Sequence, residues 1–110
     1  MTVAIPGVLL DRIRAAAQKR LLFLPHAVRQ MARPDRMISV AEARDVIAMG
    51  EVIEEYPGDP RGESALLLGL GSGRPIHVVA APKDSYLAII TAYVPDPEAW
   101  DRDFRTRRRP

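Results

Sequence analysis

The chain of 110 residues holds two imidazoles, His26 and His77. Imidazole is the side chain whose ordinary pKa lies closest to neutrality, so these are the first groups to weigh for proton transfer. His77 stands in the extended-looking segment PIHVV, between Ile76 and Val78. Side chains alternate along a strand, so His77 faces away from both neighbours. A hairpin over residues 75–94 with a loop of Lys83, Asp84 and Ser85 would set His77 opposite Thr91, with Tyr93 on the same face. In GEVIEEYPGDP, residues 50–60, alternation puts Glu54 and Tyr56 on one face with Val52, and Glu55 on the other. If the two segments are neighbours, His77, Thr91, Tyr93, Tyr56 and Glu54 form one patch able to move a proton near neutral pH. The plainer alternatives are a strand histidine bonded to a neighbour, and glutamates that are solvated or paired with arginine.

Cations could complete such a patch. His26 falls in the first turn of a helical segment. Arg29 and Arg33 are one helical turn apart, and Arg36 follows just past Pro34. Three guanidiniums near one face can hold phosphates or can simply be solvated. Residues 101–110, DRDFRTRRRP, carry five Arg, Arg105 and Arg107 among them, and two Asp. The net charge is +2, so the first hundred residues are slightly acidic and the basicity is local to this tail. A basic tail can hold RNA or DNA by counterion release, or be a solvated terminus. Two distant histidines do not make a metal-ligand spacing, and no metal or other cofactor is expected. The run LLGLGSGRP lacks the Lys-Ser/Thr of a phosphate loop and leads into a strand, so it reads as a turn.

These residues must be positioned by the elements around them. VLLDRIRAAAQKR, residues 8–20, has Leu9, Ile13, Ala16 and Ala17 on one helical face. LLFLP, residues 21–25, is a short extended piece, and Pro25 opens a second helix, HAVRQMAR, that ends before Pro34. Ser39 and Glu42 form an S-x-x-E capping box for a helix over 39–49, whose buried face is Ala43, Val46 and Ile47. Gly50 stands where a left-handed stop is expected. The period then changes, and strands are predicted at 51–56, 64–70, 75–81 and 86–94, joined by short turns. A short closing helix is predicted from Pro97, anchored by Trp100 and Phe104. The expectation is an α+β domain: N-terminal helices packed on a four-stranded antiparallel sheet, with a short C-terminal helix. Residues 1–104 form that single domain and 105–110 its basic tail.

Composition fits one modest globular core, with 47% hydrophobic and 27% charged residues. There is no cysteine, which excludes disulfides and thiolate metal sites. The N-terminus lacks a basic segment before an apolar run, and no apolar run approaches a membrane span, so a cytoplasmic protein without membrane association is expected. Edge strand 51–56 could pair with a second chain.

The segments HAVRQMARPDRMIS, GEVIEEYP, LLLG, GRPIHVV and TAYVPDPEAW, in this order, resemble an uncharacterised bacterial family known as domain of unknown function 4258. The resemblance spans roughly residues 26–104. One departure is Gln30 before Met31, where the family carries Arg. The resemblance implies a small α+β domain similar to RelE/BrnT-like ribonuclease toxins, with a small zinc-finger antitoxin as partner. It implies that His26, Arg36, Glu54, Tyr56, His77 and Tyr93 sit on the working face. The expected function is then a metal-independent ribonuclease toxin. His77 or Glu54 would act as base, Tyr93 or Tyr56 as acid or RNA-orienting group, and Arg36 with the tail arginines would hold phosphate. The alternatives are a non-catalytic module that binds protein or nucleic acid, and a small metabolic or ligand-binding domain, for which no motif speaks.

Overall fold

The computed structural model describes residues 7–108. The elements in chain order are α1 (Val8–Lys19), β1 (Leu21–Phe23), α2 (Pro25–Met31), α3 (Val40–Met49), β2 (Glu51–Tyr56), β3 (Ser64–Gly71), β4 (Arg74–Pro82) and β5 (Leu87–Tyr93). The α+β class holds, but the sheet is five-stranded and mixed, in the order β1-β5-β4-β3-β2. The expected four antiparallel strands are present. The fifth is the short apolar piece Leu21–Phe23, which pairs in parallel with β5, Leu21 against Leu87 and Phe23 against Ile89. A three-residue strand shows no measurable alternation, and its partner lies far along the chain, so local pattern could not reveal it.

The sheet separates two apolar layers. On one face Leu67, Ile76, Val78, Ala80 and Ile89 pack under Ile13 of α1, Met31 of α2, and Val46 and Ile47 of α3. On the other face Leu66, Val79, Ala81 and Ile90 pack under Trp100, with Ile53 and Phe104 at the margin. Among the described residues no helix packs across the second face. The expected closing helix makes a single turn, in which the Trp100 amide donates to the Asp96 carbonyl at 3.0 Å. The chain then doubles back, and Trp100 forms an antiparallel bridge with Arg107. Asp96 caps the single turn, accepting from the Glu98 amide at 2.8 Å, and the helix goes no further: Asp103 accepts from the Arg105 amide at 2.9 Å, a local Asp turn that competes with helical pairing. Residues 95–108 therefore form a strap across the sheet, and the part of the basic tail up to Arg108 belongs to it. Arg109 and Pro110 lie outside the described residues.

The capping box at α3 is complete: Ser39 Oγ accepts from the Glu42 amide, and Glu42 Oε1 accepts from the Ser39 amide, each at 3.0 Å. Glu42 also takes a hydrogen bond from Arg74 Nε at 3.1 Å. That guanidinium, with the cap, holds the buried carboxyl below the usual range.

Gly50 is not the left-handed stop expected of it. Its φ of −78° and ψ of −177° are ordinary extended values. It is glycine because α3 turns onto the sheet there at close range. A Cβ at Gly50 would stand 2.4 Å from the Val46 carbonyl oxygen and 2.7 Å from that of Leu68. Backbone cannot yield as a flexible side chain can, so Gly50→Ala is expected to cost about 1–3 kcal/mol in urea denaturation. A change below ~0.5 kcal/mol, the usual range for a neutral surface site, would show that the approach is looser.

Two irregularities decide which side chains face the strap. The β4–β5 hairpin closes at Pro82↔Leu87, so its loop is one residue longer than expected, and β5 bulges opposite Val79/Ala80. Each shift alone would turn His77 away from Tyr93, and together they restore the phase. His77 therefore pairs directly with Tyr93, and Thr91 stands opposite Val79 rather than His77. A second bulge, between Val52 and Glu54, puts Val52 against the helix-side layer and leaves Glu54 and Tyr56 facing the strap. The expected common face for Val52, Glu54 and Tyr56 is thus broken at Ile53, while Glu54 and Glu55 do oppose each other.

Candidate functional site

The strap and the second face of the sheet bring together most of the polar residues singled out in the sequence. His77 lies beneath the strap with no solvent-exposed surface. Its Nε2 is 2.8 Å from the Phe104 carbonyl oxygen and its Nδ1 is 3.2 Å from the Tyr93 hydroxyl. A carbonyl can only accept, so Nε2 carries the ring proton and Nδ1 accepts from Tyr93. The Trp100 ring meets the imidazole edge-on, centroids 4.5 Å apart. Burial pushes the His77 pKa down, against the pull of the Phe104 carbonyl and Glu54. Burial likewise pushes the Tyr93 phenol up.

Outside this sealed ring lies a tighter cluster. Glu54 accepts from Arg107 through both oxygens, at 2.9 and 3.0 Å, and from the Tyr56 hydroxyl at 2.5 Å. The Arg107 guanidinium rests on the Trp100 ring, 4.6 Å from its centroid. Arg107 holds the Glu54 carboxyl below the usual range. Burial and the bond to Glu54 push Tyr56 up to about 12, so the phenol stays protonated and acts as a donor. One residue pair along the strap, Arg105 reaches Glu51 at 2.6 Å.

Arg107 and Tyr56 line one wall of an open pocket of about 480 Å³. His26, from the first turn of α2, lines another, and Arg61 and Thr91 complete the polar rim over an apolar floor of Val79 and Ile90. Arg61 is set by the β2–β3 loop. Asp59 accepts from its backbone amide at 2.9 Å and from its Nε at 3.0 Å, and also from Ser64 Oγ at 2.8 Å. The Arg61 guanidinium drives the Asp59 carboxyl down to about 2. Lys83 clamps the same loop by donating to the Arg61 carbonyl.

Of the sequence-predicted residues, His26, Tyr56 and Arg107 meet at this pocket, and Glu54 orients two of them. His77 and Tyr93 lie beneath the strap. Arg105 sits further along it. Arg36 pairs with Asp35 at 3.6 Å and lines a separate hollow with Arg74 and Asp96, while Arg29 stays exposed on α2. Arg61 was missed: in PGDPRGE the turn residues dominate, and nothing local shows that Asp59 aims the arginine at a pocket. Among the described residues no group of three or more His, Cys, Asp or Glu could hold a metal ion, and no helix is long and apolar enough to cross a membrane.

Residues 23–94 match the family described as "Domain of unknown function (DUF4258)". The chain belongs to the DUF4258 family. No curated protein and no solved structure matches it. The family match begins at the last residue of β1 and ends one residue after β5, so the DUF4258 segment supplies strands β2 to β5, α2, α3, His26, Tyr56, Arg61 and Thr91. The strap that delivers Arg107 and covers His77 lies beyond it.

The buried ring makes a testable demand on pH. The native state disfavours a proton on His77, so below the ordinary value of 6.5 the unfolded chain takes up more protons than the native one. The stability that His77 contributes is present above that pH and is lost as pH falls below it. The urea midpoint of the wild type is expected to decline from pH 7 to pH 5. In His77→Gln, whose amide can still donate to the Phe104 carbonyl but cannot titrate, that decline is expected to flatten. Parallel profiles for the two proteins would refute the assignment.

Proposed function

We propose that this DUF4258 protein is a metal-independent ribonuclease whose site is the pocket between α2 and the strap. The observation that carries this reading is the meeting of His26, Arg61, Arg107 and Tyr56 around one open concavity, from three separate stretches of chain: α2, the end of β2 with the loop after it, and the strap. RNA cleavage without a metal needs a base near the ribose 2′-hydroxyl and fixed positive charge at the phosphate. His26 takes the 2′-hydroxyl proton, and the 2′ oxygen attacks phosphorus. The bond to the 5′ oxygen breaks, leaving a 2′,3′-cyclic phosphate. The imidazolium returns its proton to the departing 5′ oxygen. Arg61 and Arg107 receive the phosphate oxygens, held in place by Asp59 and Glu54. Tyr56, with its raised pKa, serves as a hydrogen-bond donor rather than an acid.

This reading moves the base from His77 or Glu54 to His26, because His77 has both ring nitrogens engaged and no open surface, and both Glu54 oxygens are taken by Arg107 and Tyr56. The likeness to RelE/BrnT-like toxins and a zinc-finger antitoxin as partner rest on the sequence resemblance, and they are part of the proposal, as is the cytoplasmic setting expected from the sequence pattern. The second reading is a non-catalytic binding module. What favours it is that both pocket guanidiniums already have carboxylate partners. A single experiment separates them: the purified chain with labelled RNA in EDTA, its products analysed for cyclic phosphate ends. Cleavage that His26→Ala abolishes supports the ribonuclease. Salt-dependent RNA binding without cleavage, from folded protein, supports the binding module.

A further inference from the structure

On the helix side of the sheet, away from the pocket, an apolar groove of about 420 Å³ runs between α2 and the start of α3. Val28, Met37 and Val40 line it and are 52, 65 and 47% exposed, and they are three of the six large apolar side chains that face solvent among the described residues. Beneath them Met31 and Ile38 are buried and continuous with the helix-side core. The groove offers almost no polar contact. Its one hydroxyl, Ser39, is occupied capping α3.

Met37 is the unusual residue. Its φ of 47° is left-handed, a conformation that glycine and asparagine adopt far more easily than methionine. The backbone is held there by a bond from its amide to the Arg33 carbonyl, and by Arg74 donating to its own carbonyl. Turn geometry alone would favour Gly or Asn. An exposed, flexible thioether at that point suits contact with an apolar partner.

The segment that forms the groove is basic. Between residues 25 and 40 there are three arginines, Arg29 and Arg33 beside the groove residues Val28 and Ala32 in the chain, and Arg36, which lines the neighbouring hollow, against one acid, Asp35. Arg33 and Arg36 share that acid at 3.4 and 3.6 Å. A second copy docking by two-fold symmetry would bring two such arginine sets together, which opposes self-association. We propose that this groove is a docking site for an amphipathic helix of a protein partner, with apolar side chains on its inner face and carboxylates on its flanks. The proposal is independent of whether the opposite face cleaves RNA.

The test uses two synthetic helical peptides, both with leucine at the i, i+3, i+4 and i+7 positions. One carries glutamate at the remaining sites and the other lysine. Fluorescence anisotropy with the full chain is expected to show saturable binding of the glutamate peptide, weakened by salt, and about tenfold or more weaker binding of the lysine peptide. Met37→Asn suits the left-handed backbone, so its melting temperature is expected to hold or rise while peptide affinity drops about tenfold. Arg33→Glu with Arg29→Glu is expected to narrow or reverse the preference between the peptides. Equal binding of both peptides, no saturable binding, or unchanged affinity in Met37→Asn would overturn the proposal. So would a concentration-dependent dimer that Met37→Asn dissolves, which would assign the groove to a second copy.

Discussion

Trp100→Ala is expected to lower stability by about 3–5 kcal/mol in urea denaturation, the range for truncating a large buried aromatic. A domain of this size is stable by about 5–15 kcal/mol, so the loss is a large share of the whole. Trp100 is 3% exposed and is the main apolar weight holding the strap to the second face. Its ring closes over His77, its face carries Arg107, and its backbone bridges to Arg107 while its carbonyl accepts from Arg108 at 2.9 Å. The polar contacts of the strap cannot substitute. Arg107–Glu54 and Arg105–Glu51 are largely exposed pairs, worth about 0.2–1 kcal/mol each. Without the indole, a cavity opens above a histidine whose Nε2 has bonded the strap's own Phe104 carbonyl. Trp100→Phe, which keeps an aromatic ring there, is expected to lose less. The chain's only tryptophan sits in the strap, so its fluorescence and far-UV dichroism are expected to change at the same urea concentration in the wild type, as for one cooperative unit. A fluorescence transition well ahead of the dichroism, with Trp100→Ala near wild-type stability, would show a strap that melts by itself.

Local chemistry was the legible part of the fold. The Ser39–Glu42 capping box, the helical period of α1 and the alternation of β4 and β5 each arise from residues within one or two turns or a single hairpin, and each appears in the structure where the sequence places it. The illegible parts are all non-local. Leu21–Phe23 becomes a strand only because β5 comes to lie beside it. Nothing in EVIEEY announces the bulge that separates Val52 from Glu54, since a bulge answers to the partner strand. At the C-terminus the helix expected from Pro97 ends after one turn, and further turns follow. The gain from laying Trp100 and Phe104 on the sheet outweighs the weak helical preference of so short a segment.

The candidate site shows the same division. That His77 and Tyr93 share a face was readable from alternation, although the pairing assumed was two residues out of register. The burial of His77 was not readable, because it depends on a strap that folds back from well beyond β5. Glu54 and Tyr56 were recognised as a pair, but their role is to position Arg107, which the sequence assigns to a tail. Distance in the chain hides the pocket entirely: His26 and Arg107 lie near opposite ends of the sequence.

His26→Ala is expected to slow RNA cleavage by about 10²–10⁴-fold, the range for losing a positioned acid–base group. It is expected to leave stability within about 0.5 kcal/mol of wild type, since the side chain is exposed on the first turn of α2. His77→Ala is expected to do the opposite. It leaves the Phe104 carbonyl and the Tyr93 hydroxyl, on two half-buried residues, without their partner, at up to about 1–3 kcal/mol for each group, and removes a buried ring packed against Trp100. Cleavage per folded molecule is expected to survive, and low temperature or a stabilising osmolyte is expected to recover activity in the His77 variant but not in the His26 variant. Arg107→Ala stands between them: it removes the proposed phosphate ligand from the pocket and a cation from the face of Trp100, so a fall in both rate and stability is expected. The decisive comparison is turnover corrected for the folded fraction. A His77 variant that is stable yet inactive would place the chemistry beneath the strap, and RNA would then have to displace the strap to reach it. A His26 variant that is stable yet fully active would remove the pocket from the reaction and leave RNA binding as its one remaining role.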